Sequence, residues 1–144
     1  MGCDMNESKK ITVKASDESM QTVNDFIHSV ITDECDEMIL NQIDLAVEEI
    51  FVNIAHYSGA AEAEVFCNYD SDEKGSGILE ISFTDAGKPF NPLEKPDPDI
   101  TLSAEERDIG GLGIFLTKKF MDSVEYEFAE GKNVLKITKR IIQL

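Results

Sequence analysis

The order of two hydrophobic periods along this chain predicts an α/β protein. The architecture is a two-layer sandwich, a mixed sheet with helices on one face. Three observations lead there. Apolar residues recur every three or four positions over 20–31, about 37–57 and 112–120, which is the helical period. They alternate with polar residues over 10–14, 62–69, 79–84, 124–128 and 134–138, which is the strand period. Each strand is apolar on one side and polar on the other, so only one sheet face needs cover. The length of 144 residues suits one domain over 1–144. A chain of this size buries enough surface to need no disulfide or metal staple.

The elements follow in order. Ile11 and Val13 share one face of a short first strand. Ser16 or Asp17 caps a helix carrying Met20, Val23, Phe26, Ile27, Val30 and Ile31. Residues 33–36 interrupt it, and a longer helix then runs to about Tyr57 with Leu40, Ile43, Val47, Ile50 and Ile54 along one stripe. Gly59 is its C-cap. Ala63, Val65, Cys67 and Tyr69 form one strand, and Leu79, Ile81 and Phe83 form its hairpin partner. Residues 86–107 lack periodicity and hold all four prolines, and a loop this long in so small a domain is usually functional or disordered. Leu112, Phe115, Leu116 and Phe120 mark a third helix. Two last strands are joined at Gly131-Lys132-Asn133.

Composition excludes several classes. The net charge of -16 repels phosphate backbones and anionic lipid, so neither direct nucleic-acid binding nor a membrane surface fits. The charge serves solubility or a partner with a basic surface. Three dispersed cysteines suit a reducing compartment. No apolar run approaches the ~18 residues of a membrane span, and the polar N-terminus does not read as a signal peptide. Met1-Gly2-Cys3 resembles an acylation site, but Asn6 stands where the myristoylation pattern wants Ser or Thr. These features point to a cytoplasmic protein.

Three polar constellations interrupt the apolar patterns. At ~100° per residue, Glu49 and Asn53 share one flank of the second helix, while Glu48 falls on the other. A carboxylate one turn below an amide can polarise a hydroxyl while the amide oxygen ligates Mg²⁺. Read alone, the pair also fits two solvated helix residues. Asp85 ends a strand and can accept a hydrogen bond from an exocyclic amine such as adenine N6. Gly87 removes a side chain where a flat base must approach, and alone the same residues fit a plain turn leaving the sheet. Gly110, Gly111, Leu112 and Gly113 form a loop running into the third helix, where backbone N–H groups can face an anion. Arg107, one of two arginines, precedes them and can reach a terminal phosphate. The glycines equally suit a tight approach to the helix. No Walker P-loop or Rossmann fingerprint is present.

Two other patterns fail. Asp70-x-Asp72-x-x-Gly75 begins like an EF-hand, but Lys74 and Ile81 occupy ligand positions. Cys and His residues are too dispersed for a zinc pattern.

Taken together, the constellations resemble the GHKL (Bergerat-fold) ATPases, and within them the bacterial anti-sigma-factor serine kinases. Val47 to Asn53 resembles the N box of that family. Asp85 to Pro92 is similar to its D-x-G-x-P-F-(D/N)-P box, and Gly110 to Gly113, running on to Asp122, resembles its last glycine box. The resemblance spans nearly the whole chain. It implies the Bergerat ATP-binding fold with ATP and Mg²⁺ as cofactors, Glu49 as general base toward a partner's serine hydroxyl, and Asn53 as Mg²⁺ ligand. It further implies that Asp85 binds adenine N6, that Gly87 makes room for the base, and that residues 93–109 form an ATP lid. Arg107 and the backbone of Gly110, Gly111, Leu112 and Gly113 would hold phosphates. The implied activity is a serine/threonine protein kinase that phosphorylates an anti-sigma-factor antagonist and sequesters a sigma factor, as a homodimer. A nucleotide-dependent binding module without phosphotransfer is the alternative. A detached histidine-kinase catalytic domain fits less well, because the chain lacks space for a dimerising helical pair. Two departures stand out: Asp17–Ile31 lacks the basic residue that relatives often use for docking, and Asn133 stands where many relatives carry Thr near the adenine.

Overall fold

The structure, a computed structural model, describes residues 5–31, 35–71, 76–94 and 109–142. Its strands are β1 (Met5–Lys14), β2 (Glu62–Ser71), β3 (Ser76–Asp85), β4 (Ser123–Ala129) and β5 (Lys132–Ile142). The helices are α1 (Met20–Val30), α2 (Glu37–Asn53) and α3 (Ile109–Phe120). The strands form one sheet in the order β1-β2-β3-β5-β4. All four pairings are antiparallel, where a mixed sheet was expected. The reason is topological. The crossover through α3 does return the chain parallel to β3, but β5 then folds back by a hairpin into the gap between β3 and β4. The parallel strands are therefore never neighbours.

The period of two does the sorting. Ala63, Val65, Cys67 and Tyr69 of β2 and Leu79, Ile81 and Phe83 of β3 are buried. Register sets Val65 opposite Phe83, Cys67 opposite Ile81, and Phe83 in turn opposite Leu135 of β5. Against this row lie Val23, Ile27 and Val30 of α1 and Ile43, Ala46, Val47, Ile50 and Phe51 of α2. Removing any one of these larger side chains would leave a cavity costing about 2–5 kcal/mol.

The helix ends differ from expectation in informative ways. Neither Ser16 nor Asp17 caps α1 with its side chain; a 3-10 turn over Asp17–Ser19 precedes the helix instead. The Asp17 carboxylate is engaged elsewhere, 2.9 Å from His56 Nε2. At α2 the Asp36 side chain accepts from the Met38 N–H at 3.2 Å, an ordinary N-cap. The helix then widens into a π turn over Ile54–Ser58 before Gly59 leaves it at φ 76°. The β4–β5 turn falls at Glu130 and Gly131, with φ of 54° and 79°, the positive pair of a two-residue hairpin. Asn133 therefore belongs to β5 and not to the turn. Among the described side chains of α3, Ile114 and Thr117 are buried, while Leu112, Phe115, Leu116 and Phe120 are only half-buried. Thr117 tolerates burial because its hydroxyl donates to the Gly113 carbonyl at 2.8 Å. The far end of α3 is held by Lys139 Nζ, which donates to the Phe120 carbonyl at 2.6 Å. Among the described residues no helix is long and apolar enough to cross a membrane.

Cys67 gives the packing a direct check. Its thiol is fully buried in the β2 core row, and burial pushes its pKa up to about 12. The nucleophile is the thiolate, so at pH 8 Cys67 should resist a thiol reagent in the native protein. It should label fully in denaturant, as read by peptide mass mapping. Rapid labelling of native Cys67 would contradict its placement.

Candidate functional site

Two polar pairs meet the core from opposite sides, and both are explained by element geometry. On α2, Glu49 and Asn53 lie one turn apart and face the same way, while Glu48 is exposed. Asn53 is only 4% accessible. Its Nδ2 donates to the Glu49 carbonyl at 2.7 Å and to Glu49 Oε1 at 3.2 Å. A backbone carbonyl can only accept, so these bonds fix which amide atom is nitrogen. Both N–H donors are thereby used, and Asn53 Oδ1 is left as a hard oxygen donor beside a carboxylate. That donor set suits Mg²⁺, which is commonly held by one or two protein oxygens together with phosphate oxygens.

The third helix closes on the same carboxylate. A Cβ built on Gly113 would lie 2.2 Å from Glu49 Oε2 and 2.1 Å from its Cδ. Only a glycine lets α3 approach Glu49 this closely. Gly110 and Gly111 lie within the first turn of α3, not in a loop before it as the sequence suggested. Helical winding leaves their electrostatic character intact, because the first four N–H groups of a helix have no intrahelical acceptor and carry its positive end. Leu112 is half-buried in the same turn. Arg107 and residues 95–108 of the expected lid lie outside the described residues.

On the sheet side, Asp85 and Asn133 sit directly opposite each other in the β3–β5 ladder. Both face the core side, at 4% and 5% accessibility. Asp85 Oδ1 accepts from the Gly87 N–H at 2.9 Å and from Asn133 Nδ2 at 3.1 Å. Gly87 is needed for a packing reason that the sequence did not show. A Cβ there would meet the Ser58 carbonyl oxygen at 2.2 Å. That carbonyl, turned toward the loop by the π winding, accepts from the Lys88 N–H at 3.0 Å.

Between the two pairs lies a cavity walled by Ile50, Ile54, Phe83 and Leu135, with Asn53, Asp85 and Asn133 on its lining. Apolar walls with a few convergent polar groups are the usual composition of a small-molecule site. Phe90 and Pro92 cover it, and the Phe90 ring stacks on Tyr57 at 5.5 Å and 28°. The remaining interior is about 20 Å³, room for a water and not for a purine. Anything larger than a water enters only if this cover moves outward.

The structure thus brings Glu49, Asn53 and Gly113 together at one end and Asp85 and Gly87 at the other. The Tyr57–Phe90 cover and the Ser58 carbonyl had no sequence signal. Asn133 had one: an amide at the inward parity of a strand continuing through Leu135 and Ile137.

Comparison with known proteins agrees with this geometry. Residues 13–139 match the histidine kinase-like ATPase domain family. Among solved structures, the chain is similar to the RsbU and RsbW domains of Rv1364c from Mycobacterium tuberculosis, with a TM-score of 0.64 at 14% identity. The match covers 95% of this chain and 34% of that one, so this chain spans about a third of that protein's length and the likeness is one of fold. No curated protein sequence matches. With the family match covering most of its length, and a five-stranded sheet under three helices placing the N-box pair beside the glycine turn, the chain belongs to the histidine kinase-like ATPases.

Proposed function

We propose that this protein is an Mg²⁺- and ATP-dependent serine/threonine kinase of the anti-sigma-factor type. It phosphorylates an anti-sigma-factor antagonist, binds a sigma factor as a second partner, and works in the cytoplasm as a homodimer of a single domain spanning 1–144. The observation that carries the reading is the carboxylate of Glu49, which accepts from Asn53 Nδ2 and lies against Gly113 of α3. A module that only bound nucleotide would have no use for a base at that point. The RsbW domain named in the similar structure supports the choice of branch.

In this reading Asp85 accepts a hydrogen bond from the adenine 6-amino group, and Gly87 leaves space for the ring. The free N–H groups of the first turn, at Gly110 and Gly111, bind phosphate oxygens beside the backbone of Leu112 and Gly113, with Arg107 reaching the terminal one from a lid over 93–109. Asn53 Oδ1 would ligate Mg²⁺, which would supply charge neutralisation at the phosphates. Glu49 takes the proton from a serine hydroxyl of the antagonist as that oxygen attacks the γ-phosphorus. The bond to the bridging oxygen breaks, and ADP leaves. The residues act by positioning and charge placement, as phosphoryl transfer requires.

Calorimetry should show ATP binding of order micromolar affinity that depends on Mg²⁺; no binding would end this reading. Asn53→Ala should remove the Mg²⁺ dependence, leaving the affinity that wild type shows in EDTA. Glu49→Gln should keep MgATP binding while γ-phosphate transfer from labelled ATP to a captured antagonist falls about 100- to 10,000-fold. Unchanged transfer would remove Glu49 as base. Gly113→Ala should fold normally, because the flexible end of Glu49 can swing aside from the added methyl. Its transfer rate should fall with nucleotide affinity largely kept.

A further inference from the structure

Asn133 makes more hydrogen bonds than any other buried polar group lining the cavity. Its Nδ2 donates to Asp85 Oδ1 at 3.1 Å and to the Lys88 carbonyl at 2.8 Å. Its Oδ1 accepts from the Phe90 N–H at 2.9 Å and from the Tyr126 hydroxyl. Two of these partners allow no ambiguity: the Lys88 carbonyl can only accept, and the Phe90 N–H can only donate. The amide orientation is therefore fixed from both ends. Two donors and two acceptor positions are all that an Asn side chain has. With the cavity closed, Asn133 has no capacity left for a ligand, and both of its donors stay committed to Asp85 and Lys88 when Phe90 is displaced.

Its effect on a ligand must therefore pass through its partners. Among the described residues, every hydrogen bond to the Asp85 carboxylate ends on Oδ1, from Gly87 N–H and from Asn133 Nδ2. Two N–H donors on one oxygen restrain the carboxylate plane and leave Oδ2 as its acceptor without a partner among the described residues. The same amide holds the Phe90 backbone, so the group that reads the base and the ring that covers it share one anchor.

We propose that Asn133 is a positioning residue that sets base selectivity: by pinning Asp85 Oδ1 it makes Oδ2 accept only from a base edge carrying an amino group, and so reject a 6-oxo purine. The proposal rests on the ATP-binding reading above and adds the residue that enforces its choice of base. A carboxylate free to rotate could turn away from a 6-oxo edge and let a water bridge the two. A pinned one meets that edge oxygen to oxygen.

The test is equilibrium binding of ATP and of ITP, which differ at the 6-position, to wild type, Asn133→Ala, Asp85→Ala and the double variant, all with Mg²⁺. Wild type should prefer ATP. Asn133→Ala should lose about tenfold or more of that preference, and in the Asp85→Ala background it should change the ATP-to-ITP ratio no further. A merely structural role would weaken both nucleotides by the same factor, and that result, or full additivity with Asp85→Ala, overturns the proposal. Should Asn133→Ala not fold, Asn133→Thr keeps one hydroxyl for Asp85 and should give an intermediate ratio; a wild-type ratio in that variant also overturns it. Wild type that binds neither nucleotide defeats the ATP-binding reading itself, a separate outcome from wild type that prefers ATP while the variant keeps the whole preference.

Discussion

The antiparallel ladder between β3 and β5 is the constraint on which the site depends. Side chains alternate faces with a period of two, so Asp85 must share the inner face of Leu79, Ile81 and Phe83. A carboxylate carried to the end of an apolar row cannot be left without partners, since an unpaired buried charge is very costly. Register supplies the answer by setting Asn133 opposite it. The turn at Gly87 supplies a second donor. Once Asp85 is satisfied in this way, the loop from Lys88 to Phe90 is fixed as well, because it is bonded to the same amide and to Ser58.

The helical layer meets a matching constraint from the other side. Asn53 is buried and must satisfy two N–H donors, and it does so on its own helix, on the carbonyl and carboxylate of Glu49. That choice turns its oxygen outward and holds the carboxylate in place. The closeness of α3 then follows from one missing methyl at Gly113. The helical start of α3, with its unpaired N–H groups, is thereby fixed against Glu49 and not at an arbitrary distance. Sheet and helices each contribute one buried amide, and each amide orients one carboxylate.

Much of this was legible in the sequence, and the misses have physical causes. The inward rows of β2 and β3 and the stripe of α2 follow from period alone, as does the separation of Glu49 from Glu48. The order of strands does not, because a local pattern says nothing about which strand fills the gap beside β3. The glycines at 110 and 111 looked like loop because glycine is a poor helix former; winding them into a helix rests on packing seen only in three dimensions. The hairpin turn was displaced by one or two residues because Glu130 at φ 54° gives no turn signal. Thr117 was overlooked as a core residue because its partner is the carbonyl four residues back, a contact open to any helical Thr. The family motifs were readable at Glu49, Asn53, Asp85 and Gly87. The bonds that orient them were not.

The aromatic cover bears on how readily the cavity opens. Opening the cavity breaks the Tyr57–Phe90 stack, worth about 0.5–1.5 kcal/mol, and the bond from Phe90 N–H to Asn133, worth about 0.5–1.5 kcal/mol. Together these two contacts contribute about 1–3 kcal/mol to the closed form. Tyr57 is about half exposed, at 48%, so its stack is partly solvated and the lower end of that range applies. The cover also helps keep Ile50, Phe83 and Leu135 out of water. Because Asn133 anchors both the cover and Asp85, displacing Phe90 removes one acceptor contact from the amide while leaving its two donors in place. The bond that orients the carboxylate therefore does not depend on where the Phe90 ring lies.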